Sequence, residues 1–326
     1  MKKQIYLRFY LILIISLPFM LSSCVQEKLY QSKNNHNQIQ AVFFQPWEHY
    51  LEENKYNWND IFDHLAQSNI HQIVIQWTQY GNSNLLNDES HGNLFEGIVE
   101  SAKQHHIKIV FGLYQDPDYF KKIQSPKTNT MAYFNQLRDK SISVAREIIE
   151  LYGNENVIAG FYIPQEIDNV NWNTSDKTSA LKIYLRMLNA EIDTISEFYP
   201  VYISGFYNLT TPIKEYALMW KQILEDVPIQ VLMQNGVGAM SIPSSVCIDY
   251  FNIFNQYLPK GQWGIIAELF VPDTTNSNKF VCAAPKNIQQ NIEEYKNRFK
   301  DIPIFLFSLT YLTQNNYQLL KSVSKQ

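Results

Sequence analysis

The chain repeats one pattern eight times, a short run of β-branched and aromatic residues followed by a longer segment with helical periodicity. This alternation is typical of a parallel sheet covered by helices, and eight repeats are the number that closes such a sheet into a barrel. The sequence therefore predicts an α/β fold, a single (β/α)₈ TIM barrel, with strands over residues 41–47, 72–80, 108–116, 158–167, 200–207, 229–236, 263–270 and 303–309.

The links between the predicted elements differ at the two ends of this barrel. Helix-to-strand links such as 69–71 are brief, whereas strand-to-helix links such as 117–130 and 271–284 are long and polar. Long loops after the strands are where this class of barrel builds its site, so we expect one functional face. A doubly wound open sheet is the competing fold, but it normally has a glycine-rich turn after the first strand, and Phe44–Trp47 offers none.

The first 24 residues have the order of a bacterial export signal. Basic residues precede an apolar run over 9–21, and this run closes on the tetrapeptide Leu21-Ser22-Ser23-Cys24. The run is shorter than the roughly 20 residues of a membrane-spanning helix, and the tetrapeptide resembles a lipobox, in which the cysteine is acylated. We therefore predict a lipoprotein signal peptide over residues 1–23 and a lipid anchor at Cys24.

Residues 24–40 are rich in Lys, Gln, Asn and Ser, as expected of a flexible tether, and residues 41–326 are long enough for one barrel domain. The predicted location is the cell envelope, on the membrane that holds the anchor. Val25 stands where an aspartate would favour retention in the inner membrane of some bacteria, so the outer membrane is preferred.

Composition and charge exclude several classes of function. The chain has 27 Lys and Arg against 31 Asp and Glu, a formal net charge of -4, with no basic cluster outside the signal peptide, which argues against nucleic acid as a partner. All seven histidines fall at or before His106 without a metal-ligand spacing, so a zinc site is not indicated. No Gly-x-Ser-x-Gly elbow of a serine esterase occurs.

Two glutamates carry the main chemical hypothesis. Glu166 ends the fourth predicted strand and Glu268 ends the seventh, so both should point into the mouth of the barrel. Glycosidic cleavage needs one carboxylic acid to protonate the leaving oxygen and a second carboxylate as nucleophile or base. Many retaining glycosidases of this fold place the acid/base after strand four and the nucleophile after strand seven. The alternative is that either glutamate pairs with a basic residue at the rim.

Other strand ends carry amides and aromatic rings, which together suit a neutral sugar. Amides exchange paired hydrogen bonds with vicinal hydroxyls, and an aromatic face covers the apolar side of a pyranose. The predicted sugar-binding residues are Gln45, Trp47, Gln76, Trp77, Tyr114, Gln234 and Asn235. Core packing is the alternative for each tryptophan.

Three further features lie near the same rim. Asp116 and Asp168 are expected to be solvated loop residues, and the alternatives are that they position a base or bind a sugar hydroxyl. The run Gly236–Ala239 has the composition of an anion-binding nest, but it lacks the further glycines or the lysine of a phosphate loop.

The strand ends also resemble a known family. The matching segments are Phe43–Trp47, Ile75–Thr78, Phe111–Leu113, Gly160–Glu166, Ile203–Phe206 and Gln234–Gly238. Together they look like the exported bacterial proteins grouped as domain of unknown function 4434, and the resemblance implies a glycosidase-like barrel with a role in polysaccharide metabolism. The family pattern favours Asp after the glutamine of strand six, where this chain has Asn235, so an acid-base role at that position is in doubt.

The leading hypothesis is a glycoside hydrolase of retaining type that acts on a polysaccharide or oligosaccharide, as a monomer and without a cofactor. A non-catalytic glycan-binding lipoprotein on the same barrel is the alternative. A structural lipoprotein serving envelope assembly would explain the anchor but not the polar strand ends.

Overall fold

The computed structural model describes residues 38–47, 56–87, 94–196, 199–276, 279–314 and 317–323. The predicted signal peptide and Cys24 lie outside this described part, as does most of the predicted tether. The first strand begins at Ile39, two residues before the predicted start of the barrel.

Eight parallel strands form a closed barrel in which each strand pairs with its neighbours in chain order and the first pairs with the last. This confirms the predicted α/β TIM barrel. The strands are β1 (Ile39–Phe44), β2 (Gln72–Ile75), β3 (Lys108–Gly112), β4 (Ile158–Asp168), β5 (Val201–Phe206), β6 (Gln230–Gln234), β7 (Trp263–Glu268) and β8 (Ile304–Phe307).

Helices follow the strands around the outside of the barrel. They are α1 (Trp58–Gln67), α2 (Leu94–Gln104), α3 (Tyr119–Gln124), α4 (Thr130–Tyr152), α5 (Ser175–Ile195), α6 (Ile213–Leu224), α7 (Ser244–Tyr257), α8 (Pro285–Arg298), α9 (Leu309–Gln314) and α10 (Gln318–Val323). Within the described ranges, none of these helices combines the length and apolar character needed to cross a membrane.

Two hydrophobic clusters separate the inside of the barrel from its helical coat. Along β1, Ala41 and Phe43 belong to the inner cluster, whereas Val42 and Phe44 pack with the helices. This alternation follows from the two-residue period of a strand. Other strands contribute to the inner cluster with Val74, Val110, Tyr162, Tyr202, Leu232, Ile266 and Phe305.

The long loops at the carboxyl ends of the strands contain structure that the sequence did not predict. Helix α3 lies within the predicted loop 117–130. The loop after β7 folds into a hairpin of Phe270–Pro272 with Phe280–Cys282. Three short strands, Gln79–Tyr80, Ser83–Asn84 and Tyr114–Gln115, form a small sheet after β2 and β3. These elements build up one end of the barrel, as the loop asymmetry predicted.

We predict that the contact between β2 and β3 tolerates only glycine at position 112. A Cβ atom there would lie 2.3 Å from the backbone carbonyl group of Gln76, so the two strand ends would have to separate. Gly112→Ala should therefore lower the free energy of unfolding by about 2 kcal/mol or more, measured by urea denaturation.

Gly97→Ala on α2 is the matched control, because its Cβ would meet only the side chain of Trp58, at 3.3 Å. Alanine favours a helix interior over glycine by about 1 kcal/mol, so this variant should be neutral or slightly more stable. Equal unfolding free energies for the two variants would contradict the steric argument.

Candidate active site

A bulge in β4 places Glu166 at the mouth of the barrel, which is its opening at the carboxyl ends of the strands. Ile163 pairs with Ile203 of β5, but the next pair is Ile167 with Gly205, so three residues of β4 stand opposite one of β5. These three residues are Pro164, Gln165 and Glu166. Bulges of this kind redirect a strand and its side chains, and they are frequent beside active sites.

Tyrosines from the helices hold the backbone of this bulge. The Tyr119 hydroxyl of α3 donates to the carbonyl oxygen of Glu166 at 3.1 Å, and the Tyr216 hydroxyl of α6 donates to that of Ile167 at 2.6 Å. Gly205 leaves room for the second contact, because a Cβ there would lie 2.6 Å from the Tyr216 hydroxyl oxygen. The bulged backbone is thus hydrogen-bonded although its strand pairing is interrupted.

Gln165 fixes the bulge through the hydrogen bonds of its side chain. Its fully buried amide donates to the carbonyl oxygen of Tyr114 at 2.8 Å and accepts from the Tyr184 hydroxyl at 3.3 Å. The residue before the predicted acid therefore has a structural role, which the sequence motif alone did not reveal.

Gln234 connects Glu166 to β6, the strand on the other side of β5. Its Nε2 atom at the end of β6 donates to Oε1 of Glu166 at 2.7 Å, and its carbonyl oxygen accepts from the Tyr250 hydroxyl at 2.9 Å. Because β5 lies between β4 and β6, the Glu166 side chain must extend into the mouth to make this contact. Two residues that the sequence predicted for the site are therefore brought together.

Glu268 is held by two consecutive backbone amides. Its side chain ends β7 with 6% exposure, and its Oε2 atom accepts from the backbone N–H groups of Gly238 at 2.6 Å and Ala239 at 3.0 Å. Backbone N–H groups of the run Gly236–Ala239 thus hold a carboxyl group of the same chain. Gly236 adopts a φ of +65°, which glycine accommodates without strain.

Asn235 braces this nest rather than facing an open cavity. Its Oδ1 atom accepts from the backbone N–H groups of Glu268 and Val237, each at 3.3 Å, and its Nδ2 atom donates to the Tyr295 hydroxyl at 3.1 Å. The Cys247 thiol also donates to the carbonyl oxygen of Asn235, at 2.9 Å. The amide at this position therefore positions the backbone of Glu268.

Burial shifts the acidity of both glutamates in the same direction. Burial raises the pKa of Glu166 to about 7, the hydrogen bond from Gln234 opposes the shift, and the charge of Glu268 adds to it. Burial also raises the pKa of Glu268, and the Ala239 and Gly238 amides oppose that rise. Glu166 keeps an intermediate solvent exposure, so its carboxyl group can be reached from the mouth.

Aromatic rings from the first two loops pack together at the ends of β1 and β2. Trp47 packs edge-on against Trp77, with ring centroids 4.7 Å apart, and both contact Tyr80. Trp77 is buried, whereas Trp47 and Gln45 have intermediate exposure. Trp47, Trp77 and Tyr80 thus form one aromatic cluster.

The two other predicted binding residues differ in their surroundings. Gln76 is buried, and its Oε1 atom accepts no hydrogen bond from the described residues. Tyr114 is also buried, and its hydroxyl accepts a hydrogen bond from Lys140 of α4 at 2.9 Å. Tyr114 therefore contacts the helical layer, whereas Gln76 keeps an acceptor atom in need of a donor.

Asp116 and Asp168 are not solvated, contrary to the expectation from the sequence. Both are buried, because each organises its own loop. Burial would raise the pKa of Asp116, but hydrogen bonds from Lys122, Tyr133 and the Asp118 amide outweigh burial and hold the pKa below its usual value. Asp168 accepts from two backbone amides and one side-chain amide of its loop.

The described part of the chain contains no group of three or more His, Cys, Asp or Glu side chains able to hold a metal ion. Cys247 and Cys282 are not joined by a disulfide.

The eight parallel strands and the helices that follow them define a (β/α)₈ TIM barrel, with acidic side chains at the ends of β4 and β7. The chain belongs to the family described as "Domain of unknown function (DUF4434)", which matches residues 39–313. It is 26% identical over 283 residues to the uncharacterized protein YbcH of Escherichia coli K12, covering 84% of this chain and 90% of YbcH.

Solved structures of similar fold include glycoside hydrolases. A candidate α-L-fucosidase from Bacteroides thetaiotaomicron superposes with a TM-score of 0.69 at 16% identity, covering 90% of this chain and 96% of its own. A family 18 chitinase from Pseudoalteromonas aurantia superposes with a TM-score of 0.55 at 9% identity, covering 88% of this chain and 98% of its own. At these identities the likeness shows the shared barrel fold.

We predict that the two neighbours of Glu166 move its pKa in opposite directions. Gln234→Ala removes a donor that stabilises the carboxylate, so the pKa should rise above about 7. Glu268→Gln removes a nearby negative charge, so the pKa should fall. A carboxyl ¹³C NMR titration of Glu166 measures both shifts.

Gln67→Ala, at an exposed amide on α1, is the control and should leave the titration of Glu166 unchanged. An ordinary glutamate pKa that responds to neither active-site substitution would show that the two carboxyl groups are not coupled.

Proposed function

We propose that this protein is a retaining glycoside hydrolase in which Glu166 is the general acid/base and Glu268 is the nucleophile. The observation that carries the proposal is the placement of Glu166 and Glu268 at the ends of β4 and β7, where Gln234 holds one carboxyl group and the Gly238 and Ala239 amides hold the other. Burial raises the pKa of Glu166 to about 7, and the charge of Glu268 adds to the rise. A substantial fraction of this carboxyl group is therefore protonated near neutral pH, as a general acid requires.

In the first step, one oxygen of Glu268 attacks the anomeric carbon of the bound sugar. The bond from that carbon to the glycosidic oxygen breaks, and the proton of Glu166 passes to the departing oxygen. The Gly238 and Ala239 amides hold Oε2 of Glu268, which leaves Oε1 to form the glycosyl ester.

In the second step, water attacks the anomeric carbon of this ester. Glu166, now ionised, takes a proton from the water, and the carboxylate of Glu268 is released. Two displacements at the same carbon restore the original anomeric configuration, which is the outcome that defines a retaining enzyme.

The amides and rings around the mouth support a sugar as the substrate. The buried Oε1 atom of Gln76 would accept a hydrogen bond from a sugar hydroxyl, since an unpaired buried acceptor is costly. Gln45 and Trp47 have partly exposed side chains at the same rim. The structural neighbours described as a fucosidase and a chitinase are consistent with this class of substrate.

We predict a bell-shaped pH dependence if the protein cleaves a glycoside. The value of kcat/KM should fall above about pH 7, where Glu166 loses its proton, and on the acid side where Glu268 gains one. The assay is a screen of bacterial and host polysaccharides for released reducing ends, followed by ¹H NMR of the product anomer.

Two substitutions assign the roles. Glu268→Gln should lower turnover of every substrate by at least roughly 10²-fold. Glu166→Gln should retain cleavage of activated aryl glycosides, and its pH profile should no longer show the fall in kcat/KM above about pH 7. Glu215→Gln, at an exposed site on α6, is the control. Glycan binding without turnover in the parent protein would reject the hydrolase and select a glycan-binding lipoprotein.

We also propose that the protein is a lipid-anchored component of the cell envelope. The lipobox-like tetrapeptide ending at Cys24 supports this proposal. Cys24→Ser in the full-length chain should move the protein from the membrane fraction to the soluble fraction, measured by fractionation and immunoblotting. Cys282→Ser is the control for the loss of a thiol, and a soluble parent protein would contradict the anchor.

A further inference from the structure

Two phenylalanines stand out because their side chains are exposed at the same end of the barrel. Phe120 is 38% exposed and Phe280 is 46% exposed, and within the described ranges no other phenylalanine reaches this class of exposure. Phe120 lies on α3 after β3, and Phe280 lies in the hairpin after β7. Both are therefore carried by loops that build the mouth.

Phe120 is connected to Glu166 through its immediate neighbour. The Tyr119 hydroxyl donates to the Glu166 carbonyl oxygen, so α3 is fixed against the bulge. The Phe120 ring contacts Phe206, at the end of β5, with centroids 6.3 Å apart. We name these two rings, Phe120 and Phe206, the β4-side wall, because β3 and β5 flank β4 in the barrel.

Phe280 is connected to Glu268 through Phe270. The two rings pack edge-on with centroids 4.8 Å apart. Phe270 in turn packs against Gly238, where a Cβ atom would lie 2.8 Å from the ring, and the Gly238 amide holds Glu268. Phe270 also contacts Phe307 and Tyr311. We name these four rings, Phe270, Phe280, Phe307 and Tyr311, the β8-side wall.

The order of strands in the barrel sets these walls apart. In the ring of eight strands, β4 is three places from β7, whose hairpin carries Phe270 and Phe280, and four places from β8, so the two walls lie across the mouth from each other. Each wall is linked to a different glutamate, so the carboxyl groups stand between two aromatic surfaces. A binding site for one terminal sugar needs only one such surface, whereas a chain that crosses the mouth contacts both.

We propose that the two walls bind successive sugar units of an extended neutral glycan on opposite sides of the bond that is cleaved, so that the enzyme cuts within chains. This inference rests on the proposed hydrolase and adds its substrate class. Exposed aromatic rings pack against the apolar faces of pyranoses. The amides Gln45, Gln76 and Gln234 at the strand ends pair with hydroxyl groups, which suits uncharged sugar units.

The test measures binding in the Glu268→Gln protein, so that turnover does not interfere. The probes are neutral oligosaccharides of one to six units from the β-1,4-glucan, β-1,4-xylan and chitin series, together with the neutral polysaccharides found in the hydrolysis screen. We expect the affinity for the best series to rise at least roughly tenfold from one unit to six. Absence of binding to every neutral chain overturns the proposal.

Substitutions then test each wall separately. Phe120→Ala and Phe280→Ala should each weaken binding of the six-unit chain by roughly three- to tenfold and leave the single sugar unaffected. Phe120→Trp and Phe280→Trp should preserve binding. Leu218→Ala and Leu151→Ala, at helix positions 42% and 47% exposed, are controls matched in exposure and should change nothing. Melting temperatures of all variants check that the fold is intact.

The outcomes separate this inference from the proposed function. If chain binding depends on both phenylalanines but the parent protein shows no turnover, the proposed binding role of the walls is supported and the hydrolase is rejected. If hydrolysis depends neither on chain length nor on the two phenylalanines, the hydrolase is supported and the proposed binding role of the walls is overturned. Weakened binding with the leucine substitutions as well would also overturn the proposal, because the effect would not be local to the mouth.

Discussion

The site depends on the extra length of β4 between Ile163 and Ile167. A strand of regular register would pair its backbone groups with β3 and β5, but the bulge interrupts the pairing with β5. A buried carbonyl group without a donor costs about 1–3 kcal/mol. Tyr119 and Tyr216 supply those donors from the helices. The helical coat therefore both covers the barrel and fixes the backbone that carries Glu166.

The core of the barrel explains why Glu166 differs from a surface glutamate. The Tyr162 ring, in the inner cluster, packs edge-on against Phe43 at 5.2 Å, and Phe43 contacts Phe307 at 5.5 Å. Burial raises the pKa of Tyr162, and the charge of Glu166 adds to the rise. Aromatic packing closes the barrel beneath the mouth, and the resulting loss of hydration favours a protonated Glu166.

The sequence predicted the features that arise from periodicity and strand order. Eight apolar runs led to eight barrel strands, and the positions of Glu166, Gln234 and Glu268 at strand ends followed from the same pattern. It did not predict the contacts of helix residues with those ends, because a tyrosine such as Tyr216 or Tyr295 has the same helical spacing as any core residue. Helix α3 was missed because its six residues are too short for a periodic signal.

Asn235 illustrates how a residue type acquires a meaning only in its structural context. As an isolated strand-end amide it suggested a ligand contact, and as a replacement for aspartate it suggested a lost acid. In the structure, its Oδ1 atom accepts from two backbone N–H groups and its Nδ2 atom donates to the Tyr295 hydroxyl. These hydrogen bonds connect β6, α8 and the end of β7. An ionised aspartate cannot donate a hydrogen bond to the Tyr295 hydroxyl, and its charge would raise the pKa of the neighbouring Glu268 further. A neutral amide at position 235 therefore opposes ionisation of Glu268 less than an aspartate would.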